Sequence, residues 1–472
     1  MEPELVTVVS PPAAGFPATV DVLVIGAGAA GLIAAMRARE AGAAVLVLER
    51  DALPRGSTAL SAGLVPAAGT HFQKAAGIVD DPVRFAADIM RKAHGQPDPA
   101  AVGALVQAVA PALEWLGERH GLAFTVIDNF TYPGHSACRM HGLPSRSGAE
   151  LMDRLRAAAE AAGVDIVTQA RARTLHADSS GRVVGVTVER PDGALDAIGC
   201  AALVLACNGY GGDKTLVASE APEMARALYF GHPGNQGEAV KWGRSLGAAT
   251  RHLSGYQGHG NVAHPHGILI TWATLSEGGF QVNLAGERFA DESRGYSEAA
   301  ASVLAQPEGV AWSIFDERIA VIARQFEDFR NAEAAGAILT GETLDEIAER
   351  ARLPGEALAA TAAKVEAAKR WGAPDPFGRN FAGLAPLAPP FRAVRVTGAL
   401  FHTQGGLVVD GQGRVLRQDG SALPNLFAAG GAACGVSGAD ASGYLSGNGL
   451  LSAVGYGWLA GQAAAGLAAE PA

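Results

Sequence analysis

Cysteine is scarce: the 472 residues hold four (Cys138, Cys200, Cys207 and Cys434), none spaced as C-x-x-C or C-x-x-C-H. That excludes a cysteine-held iron–sulfur cluster or a c-type haem of the usual spacing. Electrons handled by the chain must come from, or go to, something outside it. Basic residues are outnumbered, 37 Lys and Arg against 47 Asp and Glu, and the net charge of −10 argues against nucleic acid as a partner. No run of about 20 apolar residues free of glycine and charge occurs. The first 19 residues, with Pro11, Pro12 and Pro17, lack the early basic cluster and long apolar run of a secretory signal. The expectation is a cytoplasmic protein with no stable membrane insertion. His252, His259, His264 and His266 crowd one segment, but no acid or cysteine joins them at ligand spacing, so no metal is expected. A chain of this length can hold two or more domains and bury a large core without disulfides.

What is present is concentrated first in Val20–Arg50, VDVLVIGAGAAGLIAAMRAREAGAAVLVLER. Val22–Ile25 suits a buried parallel strand, Gly26, Gly28 and Gly31 form G-x-G-x-x-G, Leu32 onward reads as a helix, and Glu49 closes a second strand, Val45–Leu48. The first glycine permits the tight turn, the second lets backbone amides approach a pyrophosphate, and the third lets helix and strand pack closely. An acid ending the second strand can hold ribose hydroxyls. The pattern predicts a dinucleotide site, and at this point FAD and NAD are both open.

Arg55–Gly63, RGSTALSAG, is a loop of small and hydroxyl side chains with room for a flat ring or a phosphate, or else an ordinary turn. Helices are predicted over Asp81–Lys92, over Pro99–His120 with Gly121 as its stop, and over Gly148–Ala162. Strands are predicted over Val164–Val167, Thr174–Leu175, Val183–Val188 and Leu203–Ala206, with a hairpin turn at Arg190–Gly193. The pattern changes between His252 and Phe391, where helices are predicted over Thr343–Arg352 and Pro354–Trp371, and Pro386, Pro389 and Pro390 mark the way back. A strand at Asn425–Ala428, a glycine-rich turn at Ala429–Cys434 and a helix from Asn448 to about Ala465 complete the chain. The fold class is therefore α/β. A Rossmann-like dinucleotide domain (residues 1–251 and 392–472) is expected to carry an inserted α+β capping domain (252–391).

Several stretches together resemble the flavoprotein family of fumarate reductases, succinate dehydrogenase flavoprotein subunits and 3-ketosteroid dehydrogenases. They are the fingerprint with Glu49, the Ser57–Gly63 loop, Val282–Phe289 (VNLAGERF), His402–Leu407 (HTQGGL) and Gly447-Asn448-Gly449. The resemblance implies FAD, a substrate domain capping the flavin ring, and redox chemistry at a carbon–carbon bond beside an electron-withdrawing group. Cofactor contacts are implied at Gly26, Gly28, Ala29, Ala30, Gly31, Glu49, Arg50, Ser57, Thr58, Ser61, Gly63 and Leu64. Others are implied at Ala172, Asn208, Gly209, Gly430, Asn448, Leu450 and Leu451. The Ser57–Gly63 loop contains no histidine, so the FAD is expected to be non-covalent.

Departures from the fumarate reductase pattern carry the next step. Tyr296 and Tyr444 stand where that subclass has a proton-donating and a substrate-clamping arginine, and Trp272 stands in place of a relay glutamate. A dicarboxylate would lose bidentate partners that a phenol cannot replace. The two tyrosines, with Tyr444-x-Ser446, are most similar to the Δ4-type 3-ketosteroid dehydrogenases. His402 leans back toward the reductases, and Gly431 departs from both by lacking an acid for the ribityl chain. The resemblance thus implies removal of two hydrogens next to the carbonyl of a small cyclic ketone, steroid-like or smaller. Tyr296 would be the base, Tyr444 and Ser446 the donors to the developing enolate, and FAD N5 the hydride acceptor. A phenol ionises near ~10, so Tyr296 needs a neighbouring cation or donor, for which Arg294 and His259 are the candidates, and His402 is expected near ring or substrate. The external acceptor would be a quinone or an electron-carrier protein. The alternative enzyme is an ene-reductase of an unsaturated carboxylate such as fumarate or urocanate, with Arg294 as the rescuing cation.

Overall fold

A computed structural model describes residues 7–469, so residues 1–6 and 470–472 of the expected first domain lie outside it. The chain falls into two compact units. The first comprises the residues up to Leu216, Gly231–Tyr256 and His402 onward, and the second comprises Val217–Phe230 and Gln257–Phe401.

The first unit is built on a nine-stranded sheet. Ala18–Ile25 lies between Val45–Leu48 and Leu195–Leu205, parallel to both, and Ala422–Ala428 joins the far edge of Leu195–Leu205 in parallel. Val22, Leu23 and Val24 have no exposed surface, as expected for a parallel strand covered on both faces. The long strand Leu195–Leu205 has two roles: residues 195–199 pair antiparallel with Val183–Glu189, and its later residues enter the parallel sheet. The parallel strands therefore end together at Ile25, Leu48, Leu205 and Ala428, the sheet edge where open α/β folds hold ligands.

Two helices stabilise that edge. Ala29–Glu40 follows the glycine turn, and Asn448–Ala468 crosses it. A Cβ on Gly457 would lie 2.6 Å from the Ala30 carbonyl oxygen, and one on Gly461 2.3 Å from that of Ala34. Glycine in a helix costs about 1 kcal/mol relative to alanine, and here it is what allows the backbones to meet. Pro99–His120, capped by Asp98 and ended by Gly121 in the left-handed conformation, packs on the last helix, Leu105 against Gly455. Among the described residues it is the one helix long and apolar enough to cross a membrane, and over half of its apolar window is buried.

The second unit centres on a seven-stranded sheet in which Phe391–Thr403 pairs antiparallel with Val310–Asp316 and with Ile338–Gly341. Its side chains alternate between two cores: Trp312, Ile314 and Ala393 join Phe280, Ile347 and Leu358, while Ala311, Phe315 and Val394 join Ile319 and Phe329. Thr343 caps Leu344–Ala351, and Leu358, Thr361, Val365 and Ala368 form the buried face of Gly355–Trp371.

The compact units differ from the expected division in three places, the smallest being that residues 252–256 stay with the first unit. The three prolines stop short of a strand, because proline cannot donate to a ladder, but that strand is the central one of the second unit and its residues stay there as far as Phe401. Residues 217–230 also belong to the second unit, since Leu228 and Tyr229 pair with Ala399 and Leu400 of the same strand. A smaller difference lies in the hydroxyl-rich loop, whose Gly56–Ala59 forms one helical turn.

Candidate active site

In the first unit the glycine turn is sterically compelled. A Cβ on Gly26 (φ +103°) would lie 2.5 Å from the Ala206 carbonyl oxygen, and one on Gly31 1.8 Å from that of Gly26. Gly28 is different: a Cβ there would meet only Thr58 Oγ1, at 3.8 Å, so its missing side chain leaves open space before a helix whose own N-cap residue has no side chain to cap it. Uncapped amides facing open space form an anion cradle that suits a pyrophosphate. Thr58 Oγ1 accepts from the Ala29 N–H at 3.3 Å, and Ala30 is buried one residue on.

Glu49 is buried, its carboxylate accepting from the Ala27 N–H at 3.0 Å and the Asp51 N–H at 2.9 Å. Burial pushes its pKa up, against those two N–H groups. Arg50 donates to the Gly234 carbonyl at 2.8 Å, and Ser57 Oγ accepts from Asn235 Nδ2 at 2.9 Å. Ser61 donates to the Thr58 carbonyl and accepts from the Gly63 N–H, while Leu64 and Ala172 are buried. Asn208 sits at φ +67° with Oδ1 accepting from the Gly209 N–H at 2.8 Å. A Cβ at residue 431 would lie 2.1 Å from Asn208 Oδ1, so an acid there would have to displace the Asn208 side chain. Gly430 precedes Gly431 at φ +61°.

The last helix starts at the same sheet edge with Gly447 (φ +88°) as an uncapped N-cap, followed by Asn448, fully buried, half-buried Leu450 and buried Leu451. Asn448 Nδ2 donates to Ser437 Oγ at 2.9 Å, and its Oδ1 is buried with no partner among the described residues. An open cradle, a second uncapped helix and an orphaned buried acceptor are what a large, flat, anionic cofactor satisfies, so the residues fit FAD. Beside them His402 lies edge-on to Tyr444, ring centroids 5.5 Å apart at 76°. Its Nδ1 is 2.6 Å from Gln404 Nε2, whose Oε1 accepts from Ser437 Oγ at 2.7 Å. Burial lowers the His402 pKa to about 4, so the ring is neutral. Gly449 is the residue that permits this placement, its would-be Cβ being 3.1 Å from the imidazole.

In the second unit, Val282–Phe289 forms an anchored turn. Asn283 Oδ1 accepts from the Ala285 and Glu287 N–H groups, while Arg288 pairs with Asp375 and, through Nη2, with Glu292 at 2.6 Å. Glu292, buried and also paired with Arg379, fixes the turn that leads through Gly295 (φ +130°) to Tyr296, the first residue of Tyr296–Leu304. Around Tyr296 the rings assemble. His259 stacks on it at 5.1 Å and on Phe401 at 5.5 Å, both at 20°, Phe401 stacks on Phe230 at 5.0 Å, and Trp272 meets His259 edge-on at 5.8 Å. His259 Nδ1 accepts from the Asn261 N–H at 3.2 Å, which puts the ring proton on Nε2. Asn261 is itself held by Ser313 and Thr274, a buried polar group that no sequence pattern indicated.

The two candidates for a cation or donor beside Tyr296 differ in setting. Burial lowers the His259 pKa to about 3, so its ring is neutral and offers a donor rather than a cation. Arg294 ends the turn Glu292–Arg294 in an exposed position. Of the crowded histidines, His264 and His266 lie on an exposed turn and His252 belongs to the first unit.

A family model described as FAD binding domain matches residues 21–450. The chain is 31% identical over 457 residues to a probable fumarate reductase, Ifc3, of Shewanella frigidimarina, covering 96% of this chain and 76% of that one. It is 28% identical to a 4-oxocyclohexanecarboxylate 2-dehydrogenase of Sinomonas cyclohexanicum, covering 96% and 94%. In fold it matches a 3-ketosteroid-Δ4-(5α)-dehydrogenase of Rhodococcus jostii RHA1, with a TM-score of 0.77 at 24% identity over 98% of this chain and 100% of that one. The chain belongs to the FAD binding domain family and is an FAD-dependent oxidoreductase acting on CH–CH groups.

Proposed function

We propose that the enzyme desaturates a cyclic ketone between the carbons α and β to its carbonyl. Tyr296 takes the acidic Cα proton, and Tyr444 and Ser446 donate to the carbonyl oxygen as it gains enolate charge. When bound, FAD supplies the two-electron acceptor for the hydrogen leaving Cβ. Neutral His259 acts through its face, setting the plane of the Tyr296 ring, and neutral His402 offers a donor without a charge. The proton moves to the Tyr296 oxygen, and an external quinone or electron-carrier protein collects the electrons.

The observation that carries this reading is the ring cluster on Tyr296: two stacked faces, an edge-on tryptophan and an imidazole held neutral. Flat apolar walls favour an uncharged ring over a dicarboxylate, whose desolvation needs cationic partners. The named relative that dehydrogenates an oxocyclohexane supports the smaller end of the substrate range. The test is anaerobic bleaching of the purified holoenzyme with a panel of 3-ketosteroids and substituted cyclohexanones. Bleaching by at least one ketone, lost in Tyr296→Phe, is expected, and no bleaching by any of them would sink the reading.

A second reading, reduction of an unsaturated carboxylate, is favoured by the 31% identity to a probable fumarate reductase. It predicts that photoreduced enzyme is reoxidised by fumarate or urocanate and that Arg294→Ala abolishes this.

A further inference from the structure

Residues 128–142 carry no motif, yet they brace the segment bearing Tyr444 and Ser446. Arg139, 1% exposed, is clasped by Asp80 through Nε and Nη2 at 2.9 and 2.8 Å and by Asp88 through Nη1 at 2.6 Å. The same Nη1 lies 3.3 Å from His135 Nδ1, and a guanidinium has only donors, so Nδ1 accepts. His135 Nε2 lies 2.9 Å from the carbonyl oxygen of Ser446, which has only lone pairs, so Nε2 carries the proton. One neutral tautomer satisfies both contacts with no choice of amide orientation. Burial keeps it neutral, lowering the His135 pKa to about 4.

We propose that His135 is a positioning residue that transmits the polarisation of the buried Arg139 cluster to the Ser446 carbonyl and thereby sets the Tyr444-x-Ser446 turn. The Ser446 carbonyl belongs to the peptide that enters Gly447, the uncapped N-cap of the last helix. A donor on that carbonyl fixes the plane of the peptide and strengthens its N–H as a donor in turn. The inference rests on Tyr444 and Ser446 as the carbonyl-binding pair.

Two substitutions separate the two contacts. His135→Gln keeps a donor near the Nε2 position and gives up the acceptor, whereas His135→Asn does the reverse. In holoenzyme with matched FAD content and melting temperature, H135N should lose about tenfold in kcat with KM little changed, the size of one hydrogen bond. H135Q should stay within about threefold of wild type on the same scale. Nitrogen-15 histidine spectra, with His135 identified by its absence in H135Q, should show the neutral Nε2–H tautomer from about pH 5 to 9. An Nδ1–H tautomer, a titration inside that range, equal kcat losses in both variants, or losses that follow FAD content would each overturn the proposal. The spectra need no substrate. If no ketone is turned over, the same kcat comparison runs on photoreduced enzyme with fumarate or urocanate, so failure of the ketone reading does not pass for failure of this one.

Discussion

The glycine frame at residues 26–31 and the ring cluster on Tyr296 are both tightly defined, but by different forces. In the frame a carbon added at Gly26 or Gly31 would lie 2.5 or 1.8 Å from backbone oxygen, so at those two positions the sterics leave one residue type. In the cluster the rings sit 5.0 to 5.8 Å apart, ordinary stacking and edge-on distances that several aromatic residues satisfy. Hard overlap fixes the turn that suits the cofactor, and under the proposed function soft packing is left to choose the substrate.

That comparison breaks first if Gly31→Ala is tolerated. The substitution should cost about 3 kcal/mol or more and yield protein without flavin, checked by the ratio of flavin to protein absorbance and by melting temperature. Tyr296→Phe should leave FAD content and melting temperature unchanged and slow flavin reduction by roughly 10²–10³. Since a base works deprotonated, the wild-type rate should fall as pH falls, and this dependence should vanish in the variant. A stopped-flow pH series decides it.

A smaller effect concerns the imidazoles that the two units hold neutral. The pKa values of His135, His141 and His402 are lowered to about 4 and that of His259 to about 3, in each case chiefly by burial. The unfolded chain takes up protons near pH ~6.5 and the folded one does not. Stability should therefore be full above that pH and decline as pH falls toward 4, on the order of 1 kcal/mol per pH unit for each histidine. Thermal melts across this window should show it, with a shallower slope in His259→Phe. The smallest effect is expected for Trp272→Phe, which keeps an edge-on ring. A KM change of only about threefold, the lower range for one aromatic contact, would sharpen the view that this wall is soft.

The same contrast explains what the sequence disclosed. Gly26, Gly31, the Thr343 cap and the Gly121 stop are local requirements, so a few adjacent residues announce them. The end of the second compact unit lies ten residues beyond the expected boundary, at Phe401, because Pro389 and Pro390 mark the start of a strand without saying which sheet receives it. Tyr296 and Tyr444 are singled out by resemblance, and His259 is named with Tyr296 as its candidate helper, but the placing of Trp272 and Phe401 against His259 is not legible, because the three rings come from separate strands and turns. That His259 is neutral follows from burial, a property with no sequence pattern. The brace of Asp80, Asp88, Arg139 and His135 has no sequence pattern either, because Arg139 lies 59 and 51 residues from its two carboxylates and His135 311 residues from Ser446.

The glycine contacts between the first and last helices also bear on the order of biosynthesis. Ala30 meets Gly457, and Ala34 meets Gly461, across more than 400 residues of chain. The strand and turn that cradle the cofactor emerge from the ribosome early, while the helix that completes the cradle emerges late. Flavin capture is thereby tied to synthesis of the last helix rather than to that of the fingerprint, and a chain truncated before Asn448 should be made with its fingerprint intact and remain colourless.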